Sequence, residues 1–177
     1  HVRSRRQRQM CIRDSIHGNR DFLLGSEFEK NTGLRIIDDM TVIKDSGISL
    51  MIAHGDSFCT DDIEYQALKK SLRSEEWKKD FLQKPIAERI AFADDLRAKS
   101  AESSSNKAEN IMDVNQSYVA EVIEKHKIDF LIHGHTHRPA IHKLDNGSSR
   151  VVLGSWEDEG WVAEYSKGNI ELKSFTI

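Results

Sequence analysis

A chain of 177 residues with 38% apolar and 31% charged side chains has the material for one compact domain with its own core, and its balance is that of a globular rather than a disordered protein. No apolar run approaches the roughly 20 residues of a membrane-spanning helix, and two cysteines, Cys11 and Cys59, do not make a disulfide framework. The net charge of −3 is uneven: residues 1–15 hold five arginines and one acid, a net +4 that leaves −7 for the rest.

That first stretch has three readings. A basic arm suits nucleic acid. A signal peptide is disfavoured, because no apolar segment follows the charges. The string Arg-Gln-Met-Cys-Ile-Arg-Asp-Ser at 8–15 resembles a translated sequencing adapter, and we read residues 1–15 as a non-native leader, with the domain running from 16 to 177.

From Ile16 the texture is globular. Residues 26–31 read as a short helix closed by Gly33, residues 40–44 as a strand, Asp45-Ser46-Gly47 as a turn, and residues 48–53 as a more buried strand. Tyr65, Leu68 and Leu72 recur at helical spacing, as do Ile86, Ile90 and Ala93, with Pro85 in a first turn. The Ser-rich stretch 101–106 reads as a loop or frayed end. Residues 114–127 predict a helix with Tyr118, Val119, Val122 and Ile123 on one face, and residues 128–132 a buried strand. Strands are expected over 140–144, 150–153, 161–165 and 170–175, the last two joined by a hairpin turn at Lys167-Gly168-Asn169. Strands interleaved with helices, then a β-rich end, predict an α/β sandwich of sheets flanked by helices.

Three polar clusters follow or end short apolar strands: His17-Gly18-Asn19-Arg20-Asp21, His54-Gly55-Asp56, and Gly134-His135-Thr136-His137. Loops that leave strand ends are where α/β folds build sites. Imidazoles with an amide oxygen and no thiolate suit a catalytic Mn- or Fe-type centre better than structural zinc. Taken singly, Gly-Asn-Arg-Asp is a common turn and His-Gly-Asp is weak; three histidines within 133–137 are stronger, and the three clusters in this order are stronger still. His126 and His142 read as surface or packing residues, and His133 as a residue behind the ligands.

These clusters resemble the later half of the metallophosphoesterase (calcineurin-like) motif set. The segments IHGNRDFLLG at 16–25, AHGDSFCTDD at 53–62, NIMDVNQ at 110–116 and LIHGHTHRPAIH at 131–142 resemble, more narrowly, the UDP-2,3-diacylglucosamine diphosphatases of lipid A biosynthesis. Arg20 is a discriminating residue, since most of the superfamily has His there. The resemblance implies the calcineurin-like fold of two sheets with a helical cap over about 63–107, and hydrolysis of UDP-2,3-diacylglucosamine to lipid X and UMP. It implies two Mn ions, with Asn19, His54 and His135 on one and His137 on the other, and catalytic roles for Asn19, Arg20 and His135. It places substrate contacts at Asn19, Arg20, Asp62, Ser100, Ser104, Lys107 and His135, with Ser104 standing where the family has Asn. It also implies a monomer that binds a lipid-linked nucleotide sugar at the cytoplasmic face of the inner membrane, and no nucleic acid.

The family's opening Asp-x-His and Gly-Asp-x-x-Asp are not found upstream of Gly18, so the sequence predicts an N-terminally truncated, inactive chain with a bare sheet edge. A nucleotide phosphodiesterase of the same superfamily is a second reading, disfavoured by Arg20 and the IMDVNQ segment. A non-catalytic binding remnant is a third.

Overall fold

The computed structural model describes residues 13–106 and 113–177. Its main sheet has the order β3-β4-β5-β7-β6. Strands β3 (Thr41–Asp45) and β4 (Ile48–Ala53) form a hairpin. Their two-residue turn puts Ser46 and Gly47 at positive φ, 49° and 88°, the backbone that tight hairpins require. Strand β4 runs parallel to β5 (Phe130–His133), and β5 parallel to β7 (Ser149–Val152). The edge strand β6 (Ala140–Lys143) returns antiparallel to β7. Strands β4 and β5 read as apolar runs, as buried parallel strands do.

The core lies on one face of this sheet. Met51, Ala53 and Leu131 from the strands meet Val119, Val122 and Ile123 of helix α5 (Gln116–His126), with Phe58 and Ile128 completing the cluster. The Asn115 side chain caps α5 by accepting from Tyr118 N at 2.9 Å, a stabilisation of about 1 kcal/mol. At its other end Lys127 turns left-handed and Ile128 N donates to Ile123 O. Ile128 therefore closes the helix, and β5 begins two residues later than expected.

Two smaller sheets flank this body. Strand β1 (Asp14–Ile16) pairs in parallel with β2 (Arg35–Ile37), and Arg35 forks onto Asp14 at 2.9 and 2.8 Å. Helix α1 (Ser26–Thr32) lies between them in sequence. Strands β8 (Glu159–Ser166) and β9 (Asn169–Thr176) form a hairpin. The expected layered α/β architecture is present, with the described strands divided among one five-stranded and two two-stranded sheets.

Helices α2 (Ile63–Leu72), α3 (Glu75–Gln83) and α4 (Ile86–Asn106) make the helical middle. Of the two readings of the Ser-rich stretch 101–106, a loop or a helix end, the structure has the helix end: it closes α4. Serine is only a middling helix former, but neither Gly nor Pro interrupts the run. Trp77 and Phe81 stack at 4.5 Å, and Phe92 packs on both at 5.7 and 5.2 Å, so α3 and α4 share an aromatic seam. No helix among the described residues is long and apolar enough to cross a membrane.

Candidate functional site

The register of β4 and β5 builds the site. Ala53 pairs with His133, so the loops that leave these two parallel strands, His54-Gly55-Asp56 and Gly134–His137, start side by side. Gly134 N donates to His54 O at 2.9 Å. Asp39 holds the first loop from behind, accepting from His54 N at 2.8 Å and from the Ser57 hydroxyl at 2.7 Å. Gly55 lies at φ 118°, and a Cβ there would stand 2.8 Å from His133 Nδ1 and 2.9 Å from Gly134 O. Gly55→Ala is expected to cost about 3 kcal/mol, from a strained backbone and a contact that neither loop can relieve. Urea denaturation measures it; a cost near zero would mean the loops approach differently.

The two imidazoles converge. His54 Nε2 and His135 Nδ1 are 3.2 Å apart, with ring centroids 5.0 Å apart and nearly perpendicular. Burial pushes His135 down to about 4, and the charges of His54 and His137 act in the same direction. Burial likewise lowers His54. Both rings are thus held in the neutral form that binds metal. Two nitrogens each roughly 2.1 Å from one ion stand about 3.0–3.4 Å apart, so the pair has the bite of two ligands on one centre. Among the described residues no group of three or more His, Cys, Asp or Glu could hold a metal. Two imidazoles fit part of a coordination shell.

His135 and His137 both have left-handed backbones, φ 65° and 53°. Such a conformation costs a β-carbon residue roughly 1–2 kcal/mol. Two instances in three residues mark a turn shaped by what its side chains do rather than by backbone preference.

The first cluster joins the other two. Gly18 N donates to Asp21 Oδ1, which folds His17–Asp21 into a tight turn. The Gly18 α-carbon faces the His54 ring, where a Cβ would meet Cε1 at 3.2 Å. Asn19 and Arg20 project from this turn, exposed, into a cavity of about 180 Å³ that continues past Leu68, Trp77, Phe81, Phe92 and Leu96.

The sequence did not announce what ties these loops together. Asp56 is wholly buried, 0% exposed. Its carboxylate accepts from Lys69 Nζ at 2.8 Å, Arg73 Nη2 at 2.9 Å and the Tyr65 hydroxyl at 2.9 Å. Arg73 Nη2 also donates to Gly18 O at 3.1 Å, bridging the first and second clusters. Burial pushes the Asp56 carboxyl up, but the Lys69 hydrogen bond and the Lys69 and Arg73 charges outweigh it and hold the group below its ordinary value. Tyr65, Lys69 and Arg73 recur every four residues, one face of α2. That spacing was the available signal, overshadowed by the apolar Leu68 and Leu72; all five residues line the cavity.

Of the expected site residues, the structure brings His54 and His135 into contact, sets the Asn19 turn against His54, and places Arg20 and Ser100 along the cavity. His137 is exposed. Asp62 caps α2, accepting from Tyr65 N at 3.1 Å, a structural task sufficient to account for it. Ser104 lies on α4, its side chain outside the described part, and Lys107 lies outside the described residues. His133 is a buried residue behind the ligand candidates, 1% exposed.

No family model matches the chain. It is 41% identical to a UDP-2,3-diacylglucosamine hydrolase of Pectobacterium carotovorum over 163 residues, which take in 90% of this chain and 68% of that protein. It is 43% identical to the protein of that name from Escherichia fergusonii with the same coverage. To that of Cellvibrio japonicus it is 41% identical over 92% of this chain and 69% of the relative. Among solved structures, an archaeal phosphodiesterase overlays 92% of this chain and 68% of its own at 13% identity, with a TM-score of 0.44. Vps29 of Entamoeba histolytica, complexed with zinc, overlays 93% and 82% at 13% identity, with a TM-score of 0.39.

Proposed function

Because the chain belongs to the UDP-2,3-diacylglucosamine hydrolase family, we propose that its site serves hydrolysis of the pyrophosphate bond of UDP-2,3-diacylglucosamine, giving 2,3-diacylglucosamine 1-phosphate (lipid X) and UMP. The observation that carries this reading is the cavity from Arg20 to Leu96. It combines the cations Arg20, Lys69, Arg73 and Arg97 with an apolar lining of Leu68, Trp77, Phe81 and Phe92. A substrate that carries both phosphates and acyl chains suits that mixed lining better than a plain nucleotide diester.

His54, His135 and Asn19 would hold one divalent ion and His137 a second, of which Mn is the proposed identity. When bound, such ions supply a nucleophile at neutral pH and withdraw charge from the phosphoryl group. The chain's own residues do the rest. Arg20 presents a planar fork of donors to the phosphates. The neutral imidazoles of His54 and His135 keep their lone pairs available. The aromatic seam of Trp77, Phe81 and Phe92 would give the acyl chains an apolar wall. Ser100 lines the same cavity and supports a contact to the sugar region; Asp62, Ser104 and Lys107 remain proposed contacts on the resemblance alone.

Exposed Leu82, Ile86 and Ile90, at 47, 67 and 56%, lie on α3 and α4 among Lys78, Lys79 and Lys84. Exposed apolar side chains on two neighbouring helices support docking on a membrane surface, and we propose a monomer on the cytoplasmic face of the inner membrane.

The test is Mn-dependent release of UMP from UDP-2,3-diacylglucosamine, measured on the chain joined to the part of a relative outside the match. Arg20→Ala is expected to lower kcat/KM by about 100-fold, the loss of a charged phosphate contact worth roughly 3 kcal/mol. Release of phosphate from simple monoesters with no UMP formed would sink the assignment.

A further inference from the structure

A second cavity, of about 260 Å³, is lined by Thr136 of the His135–His137 turn and by residues of β6 and β7. Arg150 lines it and is 4% exposed. Among the described residues its one hydrogen bond is from Nη1 to His133 Nε2 at 3.3 Å, and its Nε is buried without a partner. His133 Nδ1 lies 2.9 Å from Gly134 O. A carbonyl only accepts, so Nδ1 carries the ring proton and Nε2 accepts from Arg150. The guanidinium thus keeps its Nε uncommitted in a buried place, with no carboxylate in bonding reach among the described residues. Thr136, between two candidate metal ligands, turns into the same cavity with its hydroxyl buried and unpartnered. Arg138 and His142 also line it. The one acid there, Asp113, is engaged by Arg138 at 3.0 Å and by Val114 N at 2.7 Å.

A buried cation is costly unless it is paired. We infer that this cavity is a binding site for a small oxyanion of phosphate size, held by Arg150 and the Thr136 hydroxyl with Arg138 at its mouth. The volume admits a tetrahedral oxyanion with several waters at about 30 Å³ each. The site is separate from the Arg20 cavity and does not depend on the proposed pyrophosphatase activity.

The test titrates inorganic phosphate into the metal-free full chain in EDTA, by calorimetry and by the rise in Tm that binding to the folded state produces. Saturable binding is expected. Arg150→Met should weaken it about tenfold or more, the loss of charge-assisted hydrogen bonds, while His126→Ala, exposed at the end of α5, leaves it unchanged. Should Arg150→Met fail to fold, Thr136→Val, close in shape and lacking only the hydroxyl, is expected to weaken binding several-fold. A parallel titration with UMP separates the sources. Binding of UMP with the same Arg150 or Thr136 dependence assigns the site to a phosphomonoester end, and binding of phosphate alone assigns it to the free ion. No saturable phosphate binding, binding lost in Arg20→Ala, or equal binding by wild type and the cavity variants would overturn the inference.

Discussion

Asp56→Ala is expected to destabilise the chain by about 3–5 kcal/mol, the range for removing one partner of a buried ion pair. The carboxylate is fully buried, and two cations and a phenol converge on it from one helix face. Removing it leaves Lys69 and Arg73, with side chains 15 and 22% exposed, pressed together without a counter-charge. Asp56→Asn keeps the shape and an acceptor and should fall between. A triple replacement of Asp56, Lys69 and Arg73 by apolar residues of similar volume should recover much of the loss, since the desolvation penalty goes with the charges. Urea midpoints at constant m-value measure all three. The pH dependence follows from the depressed carboxyl: its contribution is whole above the ordinary 3.8 and is lost as pH falls through the lower folded value. A cost below about 1 kcal/mol for Asp56→Ala would mean the network is ornamental to the fold. The functional consequence is positional, because Arg73 is also the link from Asp56 to the Gly18 carbonyl. Loss of the carboxylate should loosen the Asn19–Arg20 turn relative to His54 even where the chain remains folded.

How much of this was legible follows the range of the interactions concerned. Strand β4 was readable to its ends because a buried parallel strand is an apolar run bounded by a turn and a polar loop, all local signals. Helix α5 was readable from Val119, Val122 and Ile123 at helical spacing. The three clusters were readable as strand-end loops, the placement from which a shared site follows in an α/β fold. The pairing Ala53 with His133, which makes the convergence physical, spans 80 residues and leaves no local trace. Strands β1 and β2 went unread for the same reason, since three residues carry no period and are defined by each other. The Tyr65-Lys69-Arg73 stripe went unread because polar residues on a helix normally face water; a buried Asp56 reverses that preference, and burial is a tertiary fact. Arg150 sat inside an expected strand with nothing to distinguish it from an exposed arginine.

Replacing His135 should separate the site's chemistry from its architecture. In the chain joined to the rest of a relative, His135→Ala and His54→Ala are each expected to reduce UMP release by at least about 100-fold, a loss of roughly 3 kcal/mol, while His126→Ala, exposed at the end of α5, should leave it unchanged. Stability should move differently. His135 has φ 65°, so alanine there inherits the strain, whereas glycine adopts the conformation at no steric cost. His135→Gly is therefore expected to be about 1 kcal/mol more stable than His135→Ala in the metal-free chain, and equally inactive. A residue kept only for packing would show the opposite pattern, each truncation costing stability in proportion to the atoms removed and activity following stability. Retained UMP release in His135→Ala would remove the imidazole pair from the reaction. A glycine variant no more stable than the alanine one would remove the claim that this turn holds its histidine against backbone preference.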